Sequence, residues 1–143
     1  MKMLHSYWAY LALLILIIAV INAISGLTSK RTFKDRDLRI SLFTLIVIHI
    51  QLVIGLGWYF MSPWYQSMKE VGMGDTMSNA ALRFQAIEHP ITMLLAIVLI
   101  TVGWSRHKNQ TTDRGKFKKI ALFYGLGLVF ILSRIPWDQW FST

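Results

Sequence analysis

The chain has 143 residues, 55% of them hydrophobic, with 15 Lys and Arg against 7 Asp and Glu, a formal net charge of +8 and no cysteine. The missing thiols exclude disulfides, iron–sulfur clusters, zinc–thiolate sites and covalent c-type haem attachment. Length and apolar share point to one domain over residues 1–143, made of membrane-crossing helices with no room for a soluble unit.

Four apolar stretches follow one another, at about 4–27, 40–61, 84–104 and 119–136, each near the ~20 residues that cross a ~30 Å hydrocarbon core. The first has only Lys2 before it and Lys30, Arg31, Lys34, Arg36 and Arg39 after it. The positive-inside rule therefore puts the N-terminus outside and argues against a cleaved signal peptide, although Ala23 and Ser25 resemble a cleavage site. After the second stretch, residues 62–83 mix Lys69, Glu70, Asp75 and Arg83 with Gly72 and Gly74, as an outward loop does. After the third come Arg106, Lys108, Arg114, Lys116, Lys118 and Lys119, so five basic residues in the first linker and six in the third make 11 of the 15. Both linkers are expected on the cytoplasmic side, with the C-terminus outside. The expected fold is all-α: a polytopic membrane protein, a four-transmembrane-helix up-and-down bundle with both termini outside. Trp8, Trp58, Tyr59, Trp64, Tyr65, Trp137 and Trp140 fall near the outer boundary and Trp104 near the inner one, as interfacial belts do. The charge of +8 is then a topology signal and a contact for membrane lipid, and no nucleic-acid partner is expected.

Helical phase picks out the candidate site. His5, Ala9, Ala12, Leu16, Ala19, Ala23 and Gly26 share one face of the first helix. Gln85, His89, Thr92, Ala96 and Gly103 repeat the arrangement on the third, with His107 extending it. Small faces admit a neighbouring helix or a flat macrocycle, and each stripe is headed by an imidazole. At ~1.5 Å per residue, His5 and His89 lie about 4–5 and 9 Å below the outer edge. Helices one and three sit across the diagonal of an up-and-down bundle, so both rings can approach a central iron as axial ligands of haem b. Glu88 is placed to orient a ring or meet solvent, and Arg134 to pair with a propionate or snorkel to the interface. On the second helix Ser41, Thr44, Gln51 and Gly55 form the polar-and-small stripe. His49 lies about 200° from Gln51 and so faces a partner subunit, a quinone-like ligand or a haem edge, or else is satisfied by a bond to a neighbouring helix, with ligation as the remaining alternative. His107, between Arg106 and Lys108, is expected to be a solvated interfacial residue.

These residues carry two resemblances. Through LHSYW, HIQLVIGLGWYF, EHPITM and SRIPW nearly the whole chain resembles small four-helix membrane proteins labelled cytochrome b in Bacteroidetes-type bacteria. The His-headed first and third helices with Gln51-x-x-x-Gly55 between them resemble one half of the haem A synthase fold. The likeness implies His5 and His89 as the axial and metal-ligating pair, a pocket with Gln51, Gly55 and Arg134, and the inner (cytoplasmic) membrane of a bacterium. Lys2 stands where the synthase has an acidic residue, and the second half is missing, so synthase activity is not implied.

Three function classes remain open: a b-type cytochrome that relays electrons through bis-His haem; a cofactor-free accessory or assembly subunit of a larger membrane complex, with other membrane subunits or a second copy as partner; and copper handling by Met61, Met68, Met73 and Met77. No Gly-rich phosphate loop, Ser/His/Asp set or paired in-membrane carboxylates point to independent catalysis.

Overall fold

The computed structural model describes residues 1–140, which are helical almost throughout and contain no strand among the described residues. Four long helices dominate: α1 (Lys2–Thr28), α2 (Asp35–Met61), α5 (His89–Lys108) and α6 (Asp113–Ser133). Between α2 and α5 lie α3 (Pro63–Ser78), the short α4 (Ala80–Arg83) and a π-helical turn, Phe84–Glu88; α7 (Trp137–Trp140) follows α6. Three helical segments, Lys2–Thr28, Asp35–Met61 and the continuous Ala80–Lys108, are long and apolar enough to cross a membrane. Helix α6 starts with Arg114, Lys116, Lys118 and Lys119, which leaves an apolar run only over residues 120–133.

Local chemistry explains where helices begin earlier than hydropathy suggests. Helix α2 starts at Asp35 because the Lys34 backbone N–H donates to Asp37 Oδ2 (2.9 Å), a carboxylate three residues on satisfying an orphan donor. Helix α6 starts at Asp113 because the Thr112 hydroxyl accepts from the Gly115 N–H (3.0 Å). The outer segment 62–83 is mostly helix rather than loop. Ser62 caps α3 by accepting from Tyr65 N (3.3 Å), with Pro63 at the first helical position, where a missing N–H costs nothing.

Successive long helices are antiparallel. Helix α1 packs against α2 and α6, α6 against α5, and α2 closes the ring more thinly against α5, which leaves α1 and α5 on the diagonal. Ala12, Leu16, Ala19, Ala23 and Gly26 are buried on α1, as the stripe implies, and so are Ala96 and Gly103 on α5. Leu16, Ile100, Phe117, Ile120 and Tyr124 are at most 1% exposed and fill the inner two-thirds of the bundle. Over that length the small residues serve helix packing. A Cβ at Gly26 would enter the Phe117 ring, one at Gly103 would lie 2.5 Å from Phe123 Cβ, and one at Gly127 2.7 Å from Ile100 Cγ1.

Gly26→Ala is therefore expected to destabilise the folded protein by about 1–3 kcal/mol, the usual cost of overpacking. Gly125→Ala, whose Cβ would meet nothing within 4 Å, should cost nothing. Unfolding midpoints of the two variants in mild detergent compare them directly; equal midpoints would refute the close α1–α6 approach.

Candidate functional site

The outer end of the bundle brings together the two histidines that head the small-residue stripes. The ring centroids of His5 and His89 are 6.4 Å apart and the ring planes stand at 88°. With metal–nitrogen bonds of about 2.0–2.1 Å, two imidazoles on opposite sides of one metal have centroids about 6.3 Å apart. The observed centroid spacing is of that size.

Each ring is braced through Nδ1. His89 Nδ1 donates to the carbonyl of Arg134 (2.7 Å), at the C-terminal end of α6, where backbone carbonyls have no partner within the helix. On α2, Gln51 Nε2 lies 3.0 Å from His5 Nδ1 and donates to the His5 carbonyl at 3.0 Å, while Gln51 Oε1 is sealed from solvent without a hydrogen-bond partner. One turn further along α2, a Cβ at Gly55 would sit 3.2 Å from His5 Cε1, so a larger residue there would press on the ring.

The backbone under His89 is unusual for a reason the sequence contains. Pro90 has no N–H, so the helical donor to the Ala86 carbonyl is missing. Tyr59 replaces it from α2, its hydroxyl donating to Ala86 O at 2.8 Å. Just before, the His89 N–H reaches back to Phe84 O, five residues away, in the π turn. Such turns are rare and change the direction in which the next side chain points.

Glu88 does not orient the His89 ring. Its carboxylate bridges Arg83 Nε (2.7 Å) and Arg134 Nε (3.3 Å). Arg134 thus joins the site through its carbonyl, and its guanidinium is paired within the protein. Two guanidiniums on one carboxylate leave a net positive charge beside His89.

His49 does lie away from Gln51 on α2. Its Nδ1 donates to Leu45 O (2.7 Å) and its Nε2 is 3.4 Å from Thr101 Oγ1 on α5. It lines a shallow apolar groove with Leu45, Ile46, Ile50 and Val53. His107 corrects the solvated reading: it is 1% exposed, donates from Nδ1 to Trp104 O (2.6 Å) and lies beside the rings of Phe33 and Trp104. The physical reason is its phase, four residues beyond buried Gly103, which outweighs the charges flanking it. Met61, Met73 and Met77 are exposed and Met68 is half-buried, spread over the end of α2 and along α3.

Sequence reasoning missed a second polar cluster at the opposite end. Asp37 is 1% exposed; it accepts from Asn22 Nδ2 (2.9 Å), Arg31 Nη1 (3.2 Å) and Lys34 N (2.9 Å), and Arg31 also lies over the Phe117 ring. This cluster ties the start of α2 to α1 and α6. The signal that marks it is Asp37 itself, an acid inside a basic linker.

No group of three or more His, Cys, Asp or Glu side chains comes together among the described residues. The His5–His89 pair thus supplies two donors, too few for the four-coordinate protein cage of a structural zinc. Two such donors could serve only a metal whose remaining ligands come from a bound group. Compared with family models, curated proteins and solved structures, the chain matches none of them.

Tyr59→Phe leaves the Ala86 carbonyl unpaired at a helix kink. It should destabilise the protein by about 1–3 kcal/mol, the cost of an unsatisfied buried group. Hydrogen exchange localised to residues 84–92 checks the assignment: faster exchange there is expected, and an unchanged pattern would show that Tyr59 does not hold this turn.

Proposed function

We propose that the chain is a four-span bacterial inner-membrane protein, both termini outside, that holds haem b between His5 and His89 and relays electrons. The observation that carries this reading is the pair of imidazoles from diagonal helices, 6.4 Å apart with perpendicular planes, each braced through Nδ1. Three long apolar segments support the membrane setting. The fourth span is α6, antiparallel to α5, with its lysines at the cytoplasmic rim. When bound, haem supplies a one-electron redox couple. The chain's own residues do the rest. His5 and His89 would hold the iron, and Gly55 lets the His5 ring lie close against α2, since a Cβ there would sit 3.2 Å from His5 Cε1. Arg83 and Arg134 carry the excess positive charge that suits propionates. The resemblance to proteins labelled cytochrome b points the same way.

A second reading, a cofactor-free accessory subunit that binds other membrane subunits or a second copy, is favoured by the filling of the small-residue stripes at Gly26, Gly103 and Gly127 by neighbouring helices. It leaves the converging imidazoles without a task. A quinone at the His49 groove and copper at the outer methionines are further proposals that rest on those side chains alone.

Three measurements test the leading reading. A reduced-minus-oxidised optical spectrum of the purified protein should show a b-type α-band, absent from His5→Ala and His89→Ala and kept in His49→Leu. A wild-type protein without the band, or both alanine variants with a normal low-spin spectrum, would reject it. Ser29→Cys, at the exposed cytoplasmic end of α1, should resist membrane-impermeant thiol reagents in intact cells. Its labelling from outside would invert the topology.

A further inference from the structure

The two histidines are braced by chemically different groups, and the difference fixes where each ring carries its proton. A backbone carbonyl only accepts, so the 2.7 Å contact with Arg134 O requires the proton of neutral His89 on Nδ1 and leaves Nε2 as a lone pair, ready to ligate. The partner of His5 is an amide. Gln51 Nε2 is held in place by the His5 carbonyl, which also only accepts, and the same NH2 group faces His5 Nδ1, each at 3.0 Å. Reversing the amide would set Oε1 against that carbonyl. Nδ1 of His5 is therefore the acceptor, and its proton sits on Nε2. The orphaned Gln51 Oε1 is the counterpart of this arrangement, an acceptor pointing where no donor lies.

We propose that Gln51 fixes His5 as the Nε2–H tautomer while Arg134 fixes His89 as the Nδ1–H tautomer, so that His5 must change tautomer, with a turn of the Gln51 amide, before both rings ligate one metal. The inference deepens the haem reading and rests on it for its consequence, though not for the tautomers themselves. In the change, the proton leaves Nε2 and one is bound at Nδ1, with no net gain or loss. Gln51 Oε1 turns to accept from Nδ1–H, and the His5 carbonyl gives up the amide but keeps its place in the α1 ladder. The turn leaves the amide NH2 where the orphaned oxygen was, without an acceptor. Ligation by His5 thus carries a cost that ligation by His89 does not. His5 is the weaker, exchangeable ligand, and Gln51 is the positioning residue that sets its strength.

The test is nitrogen NMR of ¹⁵N-histidine-labelled protein prepared without cofactor, with His5 assigned by the signals lost in His5→Ala. Wild type should show His5 protonated on Nε2 and His89 on Nδ1. In Gln51→Glu a carboxylate that only accepts should move the His5 proton to Nδ1. His5 found as the Nδ1–H tautomer in wild type, or unmoved in Gln51→Glu, overturns the proposal. In the loaded protein, Gln51→Glu should slow haem loss about tenfold and Gln51→Leu should speed it by a similar factor, within the range that partners of ligating histidines command. Equal rates in all three proteins also overturn it. If wild type takes up no haem, the haem reading falls while the NMR result still decides the tautomers.

Discussion

An apolar surrounding offers no hydrogen bonds, so each polar group on the inward faces of these helices must find its partner inside the protein. Most of the structure can be understood from that constraint. Tyr124, fully buried, donates to Ser41 O at 2.9 Å, and the Thr44 hydroxyl donates to Ile40 O at 2.8 Å with Ile15 O of α1 at 3.3 Å. Trp8 turns its indole N–H into the α1–α2 seam to reach Val47 O at 3.0 Å, in addition to standing near a boundary where aromatic residues gather. These bonds cross between helices at several heights. They fix the rotation of each helix about its axis, which apolar contact alone leaves loosely defined.

The same constraint is met differently along the bundle. Over its inner two-thirds the faces are filled: Leu16, Ile100, Phe117, Ile120 and Tyr124 leave no room for a cofactor, and the small residues beside them are spent on close helix contact. At the other end the facing residues are His5, Gln51, Gly55, His89 and Tyr59; Tyr59 and His89 bond to carbonyls that a proline or a helix end has left without partners, and Gln51 bonds to the His5 carbonyl within α1. A stripe of small residues thus packs against neighbouring helices along most of its length and ends in a hydrogen-bonded ring.

This explains which parts were legible in the sequence. The inward phase of His5, Ala12, Ala19 and Gly26, and of His89, Ala96 and Gly103, follows from a 3.6-residue period. The diagonal placement of α1 and α5 follows from the up-and-down order of four antiparallel helices, so the meeting of the two rings was accessible. Their bracing was not. Arg134 acts through a carbonyl, a group every residue carries, and Tyr59 answers a vacancy that Pro90 creates some thirty residues later. His107 was misjudged because its charged neighbours point outward while it points in. Asp37 was hidden because a basic linker reads as a topology signal, whereas the chain uses one acid there to gather Asn22, Arg31 and the α2 N-terminus.

The two ends of the bundle make different mechanical demands on the same helices. At the end away from the two histidines, buried Asp37 with Arg31 and Asn22 closes an ion pair whose remaining acceptor positions are met by Lys34 N. A pair satisfied this fully resists rearrangement, because removing one member strands a charge away from water. The end that holds the histidines is anchored on α5 and α6 by His89, Arg134 and Glu88, and on α1 and α2 by Gln51, whose amide oxygen is unmet, together with the Trp8–Val47 and Tyr59–Ala86 bonds. On the α1–α2 side the His5 ring meets a side-chain amide, where the His89 ring meets a backbone carbonyl.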